Sequence, residues 1–357
     1  MEKSTHRVDV VPVVLEPHPN ADTLSIVRVF GYQVCVRTAD WEGVAVGAYI
    51  VPDSMVPVDR DEFKFLEDPK KPGQPVRVRV RKMRGVISYG LLIKAPSCGC
   101  SVGDDIAELL GVTRYEAPVK LSTGGFGGST PTEREPEVEA VVYDVEAFQR
   151  YAQTCFVQGE PVYVSEKVDG ANARFCFYGG QMFVGSRKNW YKPHDSLAWY
   201  VALSRHPEIE ACCRSMPGAV LYGEIFGWVQ GLRYGRKPGE VDFVAFDVCP
   251  FDRGRGGKWM PIQEFHPLMA QFGIAVAPPL PYAAKMSGYT LSIPYDFDKL
   301  MALAEGPSLI PGAKHYREGI VVKPITERWS QGVGRVQLKI VSAMYLENDG
   351  KEKEWKS

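Results

Sequence analysis

The stretch SEKVDGANARFCF, residues 165–177, sets Lys167, Asp169, Gly170 and Asn172 together in what otherwise reads as a β-strand. A lysine in a strand is ordinarily a solvated edge residue, so what marks this one is its company. Gly170 directly after the acid permits a tight turn and close approach of backbone to a ligand. The Asp169 carboxylate can position a metal ion or its waters beside the amine. Downstream, in order, come GSRK (185–188), YGEIFG (222–227), FVAFD (243–247), EGIVVK (318–323) and LKIV (338–341). Among their carboxylates, Glu224 and Glu318 join Asp169 as hard oxygen donors that suit octahedral Mg²⁺ or Mn²⁺. Phe246 taken alone fits a core aromatic as well as a ring that stacks on a ligand. Phe243, three residues earlier and so on the opposite strand face, reads as core.

These residues must be held by a chain of 357 residues, long enough for two domains and a large core. Hydrophobic content of 45% and charged content of 24% are those of an ordinary globular protein. The formal net charge is −1, so contact with a polyanion must come from local basic patches. The N-terminus carries charges where a signal peptide needs an apolar core, and no run approaches a membrane span, which predicts a cytoplasmic protein without membrane contact, monomeric by default. Eight scattered cysteines without a Cys-x-x-Cys spacing read as reduced, mostly buried thiols rather than a zinc site.

Residues 122–139, STGGFGGSTPTEREPEVE, combine Gly, Ser, Thr and Pro without periodicity and read as a linker. No internal repeat is evident. Residues 1–121 before it show about five short alternating strands, a small barrel, with one short helix over 104–111. Residues 140–357 alternate strands with helices over 195–216 and 296–305, and the Gly179-Gly180 turn joins antiparallel strands. The fold class is therefore α+β. No strand ends in a Gly-rich loop that opens a helix, which excludes a P-loop or a dinucleotide fingerprint.

The ordered motifs from Lys167 to Lys339 resemble those of the covalent nucleotidyltransferase superfamily of ligases and capping enzymes, over nearly all of residues 141–341. The resemblance implies an antiparallel-sheet nucleotidyltransferase domain (ATP-grasp-like) in which Lys167 attacks the α-phosphorus of a nucleoside triphosphate. A free lysine has a pKa of about 10.4 and must lose its proton first. A metal ion, neighbouring cations and partial burial would favour that loss. By the same resemblance Glu166, Lys167, Asn172, Arg187 and Glu224 line the nucleotide, Phe246 and Val321 cover the two faces of the base, and Lys339 holds the α-phosphate. Asp169, Glu224 and Glu318 would organise the metal.

Asn172 gives EKVDGAN, which resembles the nick-repairing RNA-ligase branch, where this Asn helps engage the 5′-phosphate end. FGWVQGLRYG, residues 226–235, also resembles that branch. QLKIV departs from a K-x-K pattern frequent there: only Lys339 is present, with Gln337 or Val341 in the other place, and Lys323 is the candidate to compensate. HPNADTL (18–24) and VRKMRGVISYGLLI (80–93) look like an OB-fold tRNA-binding domain. An OB domain in front of such a core resembles ATP-dependent RNA ligase family 5, with AELLGVTRYEAP (107–118) fitting the segment before the linker. That implies sealing of nicked RNA or RNA–DNA duplexes with RNA at the 3′-OH side, using ATP and Mn²⁺ or Mg²⁺. Arg77, Arg79, Arg81, Lys82 and Arg84 concentrate positive charge, and alternation puts the first three on one face, for phosphate contact or as a solvated edge. DRGRGGK, residues 252–258, fits a plain hairpin loop or a nucleic-acid contact. Two rivals are a structured-RNA-binding protein with an inactive ligase-like domain, opposed by intact Lys167, Glu224 and Glu318, and a GTP-dependent capping enzyme, opposed by Asn172 and the domain order.

Overall fold

Alternating valines fold the N-terminal residues into short antiparallel strands. Val8–Pro12 pairs with Val46–Ile50, which pairs on its other edge with Leu91–Lys94. Leu24–Val29 and Tyr32–Arg37 form a hairpin, as do Arg81–Met83 and Val86–Ser88. Val8, Val10, Ile50, Val56, Phe63, Val78 and Ile93 fill the interior. The helix is Ala107–Leu110, ended by Gly111 in the left-handed region at φ 65°. The computed structural model describes residues 6–96, 99–115, 136, 138, 140–250, 259–280, 292–348 and 350–355. Contacts divide the chain into Met1–Ala117 and Pro118–Ser357. The expected domain limits at 121/122 and 139/140, the linker apart from Pro136 and Val138, and the 252–258 loop lie outside the described residues.

The two stretches singled out near the N-terminus meet in space. His18 Nε2 lies 3.2 Å from the Met83 carbonyl, and Asn20 Nδ2 donates to the Arg84 carbonyl at 2.9 Å. HPNADTL thus clamps the turn of the basic hairpin, where Arg84 and Gly85 take φ of 47° and 88°. Val78 and Val80 point inward while Arg79, Arg81, Lys82 and Arg84 are exposed. Arg77 departs from the expected phosphate-contacting set. Its guanidinium lies 2.7 Å from Asp53 and stacks 4.0 Å above the Tyr115 ring, so its charge already serves this unit.

Residues after the linker build two five-stranded sheets. One has the order Glu146–Ala147, Leu338–Val341, Gly319–Pro324, Pro161–Lys167, Ile293–Pro294, and the other Trp190–Tyr191, Gln181–Gly185, Gly170–Tyr178, Val220–Gly227, Val241–Cys249. All pairs are antiparallel except that of Glu146–Ala147 with Leu338–Val341. Each sheet has a dry face and a polar one. In the first, Val162, Val164, Ile320, Val322, Leu338 and Ile340 pack against the helices Phe148–Cys155 and Phe297–Leu303. In the second, Ala171, Ala173, Phe175, Leu221, Ile225 and Phe243 pack against Ala198–Arg205, Pro207–Ser215 and Ile262–Phe272. The polar faces turn toward each other, and Lys323 of the first sheet meets Asp247 of the second at 2.7 Å. Gly170 is needed here for a different reason from the one expected. A Cβ would stand 2.1 Å from the Ile225 carbonyl oxygen, so the close approach is to the neighbouring strand. Six described cysteines are free and buried, whereas Cys100 is disulfide-bonded. No helix among the described residues is long and apolar enough to cross a membrane.

The expected helix over 195–216 is two. Pro207 cannot donate to a preceding turn and opens the second helix at its N1 position. His206, at the break, is bracketed by carboxylates: Nε2 lies 2.7 Å from Asp242 and Nδ1 2.9 Å from Glu208. The Asp242 hydrogen bond raises its pKa, burial opposes, and Glu208 adds to the rise. A raised histidine stabilises the fold fully below pH about 6.5 and loses that contribution as pH climbs through its folded value. His206→Gln should therefore lower the thermal midpoint at pH 6, with the deficit shrinking by pH 9. Melting curves across that range check it, and a deficit independent of pH would show that the charge is not what His206 contributes.

Candidate active site

Strand alternation decides which side chains enter the cleft. Lys167 pairs with Gly319, Ser165 with Val321 and Tyr163 with Lys323, while Val321 lies opposite Lys339. Lys167, Val321, Lys323 and Lys339 therefore share one face. Asn172 lies opposite Glu224 and Glu224 opposite Val244 on the facing sheet. A bulge between Tyr222 and Gly223 inserts one extra residue into the partner strand, and Phe246 is that residue. Phe246 is half-buried on the cleft side, while Phe243 lies in the dry core at 2% exposure.

At the centre Lys167 Nζ donates to Glu318 Oε1 at 2.6 Å. Burial acts to lower the lysine pKa, but Glu318, Glu224 and Asp169 outweigh it, and the net shift is upward. Among the protein groups around the amine, carboxylates rather than cations dominate. Burial pushes Glu318 up to about 7 against the pull of Lys167, and pushes Glu224 well above the carboxylate range. Glu318 Oε2 is buried with no hydrogen-bond partner, as is Asn172 Oδ1.

Asp169, expected among the metal-organising carboxylates, is engaged by protein groups. Its Oδ1 accepts from the Tyr345 hydroxyl at 2.9 Å and its Oδ2 from Leu232 N at 2.8 Å. Its own N–H donates to the Tyr234 hydroxyl at 2.6 Å. Asp169 thus fastens both the 228–235 loop and the helix Ala343–Glu347 to the lysine strand. Gly231 is required where that loop meets the C-terminal segment, since a Cβ would lie 2.0 Å from the Gly350 carbonyl. Among the described residues no three His, Cys, Asp or Glu side chains converge as a metal-binding group. Glu224 and Glu318 remain as the oxygen donors facing the amine. The orphaned Glu318 Oε2, beside a second buried carboxyl at Glu224, fits a hard divalent cation there.

Two further expected site residues have protein partners of their own. Glu166 alternates away from Lys167 and accepts from Ser308 Oγ and Leu309 N, both at 2.6 Å, so it anchors the 308–309 turn on the far face. Lys323, the candidate to compensate for the missing motif lysine, has its amine 2.7 Å from Asp247 and also donates to the Phe246 carbonyl at 3.2 Å. Asp247 lies between Lys323 and Arg335, the latter 2.6 Å away. Burial would raise Asp247, but Arg335 and Lys323 more than offset it and hold the carboxylate down. Arg187 lies beside the cleft with its Nη1 2.7 Å from Asp144 Oδ1. Lys339 is close enough to Glu318 to favour its ionised form. Tyr345, Tyr234 and Asp144 carry no signal in motif spacing, because their partners lie 65 or 176 residues from Asp169 and 43 from Arg187.

Residues 160–341 match the family described as RNA ligase, and residues 7–95 one described as an OB-fold domain. Among solved structures, the chain is similar to a lysine-to-alanine mutant of Naegleria gruberi RNA ligase with ATP and Mn. The TM-score is 0.75 at 24% identity, over 96% of this chain and 98% of that one. A lysine-to-methionine mutant of the same enzyme with AMP and Mn aligns with TM-score 0.75 at 24% identity, over 97% and 99%. The Naegleria gruberi ligase with PPi aligns with TM-score 0.74 at 24% identity, over 96% and 98%. At such identity the likeness is one of fold. No curated protein sequence matches the chain.

Replacing Tyr345 by Phe keeps the ring and removes only the donor to Asp169 Oδ1. Losing a hydrogen bond to a buried carboxylate costs about 1.5–3 kcal/mol. Y345F should lower stability to denaturant by that order and speed amide exchange in the Ala343–Glu347 helix. Unchanged stability and exchange would mean that the hydroxyl does not hold the helix.

Proposed function

The chain belongs to the RNA ligase family, and from that premise we propose that it seals 3′-OH/5′-phosphate nicks in duplexes with RNA at the 3′-OH side, using ATP, after the manner of RNA ligase family 5. What carries the reading is the Lys167 amine against Glu318 at 2.6 Å, in a cleft walled by Phe246 and Val321. The match to Naegleria structures described with ATP, AMP, PPi and Mn supports the choice of nucleotide and metal. Mn²⁺ or Mg²⁺ held by Glu224 and Glu318 would supply neutralisation of phosphate charge.

In the first step Lys167 Nζ attacks the α-phosphorus of ATP. The P–N bond forms as the bond to the pyrophosphate oxygen breaks, and the nitrogen gives up a proton. Glu318 Oε1, 2.6 Å away, is in place to accept it. Phe246 and Val321 sandwich the adenine, Arg187 lies at ribose or phosphate, and Lys339 holds the α-phosphate. In the second step the 5′-phosphate oxygen of the nick displaces Lys167 from the AMP phosphorus. In the third the 3′-OH attacks the 5′-phosphorus, AMP leaves and the phosphodiester is closed. Asn172, whose Oδ1 is buried without a partner, would orient the 5′ end. A capping enzyme would instead take GTP.

Incubation with radiolabelled ATP or GTP and each metal, followed by a denaturing gel, tests the assignment. Label from ATP should appear on the parent chain and vanish in Lys167→Ala. The adduct should be acid-labile and base-stable, as a phosphoramidate is. Label from GTP alone would overturn the nucleotide assignment, and label surviving in K167A would overturn the nucleophile.

The exposed Arg81, Lys82 and Arg84 of the OB-unit hairpin supply nothing that the first step requires. Neutralising all three should leave the ATP adduct intact, reduce sealing of a nicked duplex with a 3′-OH ribonucleotide, and flatten its salt dependence as fewer counterions are released. Sealing equal to the parent at every salt concentration would remove this hairpin from the nick-binding surface.

A further inference from the structure

The residues that lead into the first sheet run beside the cleft and are pinned to it on both sides. Tyr143 is 8% exposed, its ring centroid lies 4.6 Å from that of Phe246, and its hydroxyl lies 2.8 Å from both Asp247 Oδ2 and Gln337 Oε1. The next residue, Asp144, accepts at its carbonyl from Gln337 Nε2 at 3.0 Å. Its carboxylate reaches outward to Arg187 Nη1 at 2.7 Å. Arg187 in turn is near enough to Glu224 for its charge to be felt there. One dipeptide therefore touches Phe246, Arg187 and Gln337, the last of these just before the strand of Lys339.

An ion pair at this exposure, 46% for Asp144 and 27% for Arg187, ordinarily contributes little, because two flexible side chains must be ordered in water. Here the backbone of Asp144 is already fixed by Gln337, and the residue before it is buried among aromatic rings. The carboxylate is presented from a rigid base, so less freedom is lost in the pairing. Gln337 is two residues from Lys339 and turns to the same face, yet its amide oxygen and nitrogen are both engaged by this dipeptide.

We infer that Asp144 is a positioning residue for nucleotide transfer: held by Gln337 and Tyr143, it orients the Arg187 guanidinium for the nucleotide. Asp144 has no need to touch ATP itself, and its effect passes through Arg187. The assignment rests on the ligase reading above, and the experiment separates the two.

Lys167-AMP formation by the full-length chain is followed against ATP concentration for the parent, D144N, D144E, R187A and the D144N/R187A double variant. D144N should raise KM for ATP about fivefold with kcat within about twofold, the size expected when two groups in contact are uncoupled. D144E should recover part of the loss. The double variant should be no worse than R187A, since the carboxylate has nothing left to orient. An unchanged KM in D144N overturns the assignment, and so do losses that multiply in the double variant, which would mean that Asp144 acts independently of Arg187. A parent chain that forms no adduct overturns the ligase reading and this assignment with it.

Discussion

The Lys167–Glu318 pair, 2.6 Å apart where two neighbouring strands of the first sheet meet, is the interaction that the rest of the structure serves. Two more carboxylates, Glu224 and Asp169, act on the same amine. Removing the amine would leave the buried Glu318 carboxylate without its partner, a costly loss. A cleft that holds three acids and one amine must therefore be fixed by its surroundings. The two dry sheet faces do this from outside, and the Asp169 contacts with Leu232, Tyr234 and Tyr345 do it from within.

A second hub of charge lies behind Phe246 and differs in kind. Asp247 is shared by Lys323, Arg335 and the Tyr143 hydroxyl, and Arg335 continues to Glu327 at 2.5 Å and over the Trp259 ring at 4.1 Å. Every charge there has a partner, so the hub is saturated where the Lys167 cluster keeps an orphaned oxygen. A satisfied buried network stiffens the wall that carries it. Lys323 donates to the Phe246 carbonyl, so the wall it stiffens is the one that presents the half-buried ring to the cleft.

Legibility in the sequence followed the range of the interaction. Lys167, Val321 and Lys339 were brought together in sequence by motif resemblance and share a face through the observed register, whereas alternation alone separated Phe246 from Phe243, because a strand repeats every two residues. The same rule, applied to Glu166, would have turned it away from the lysine; motif resemblance had placed it at the nucleotide, and its partners at 308–309 were invisible locally. Lys323 and Arg77 look like available cations in sequence, and their acids, Asp247 and Asp53, lie 76 and 24 residues away. The helix over 195–216 was legible in pattern but not in its break, although Pro207 marks it. Nothing local announces Tyr345 or Asp144, whose chemistry exists only once the sheets have closed.

The sign of the cleft sets a condition on the proposed chemistry. Carboxylates that hold Lys167 as an ammonium also repel the triphosphate that it is to attack. Both obstacles have one origin, so both disappear when Glu224 and Glu318 are engaged elsewhere. Until then the amine is protonated and paired, and a nucleophile 27% exposed to water stays inert toward other electrophiles. Arg187, tied to Asp144 on a pinned backbone, needs no such release, for its guanidinium keeps its charge at any working pH. On the proposed function the site would divide its cations by role: the lysine held back by neighbouring acids until nucleotide binds, the arginine fixed in advance to receive it.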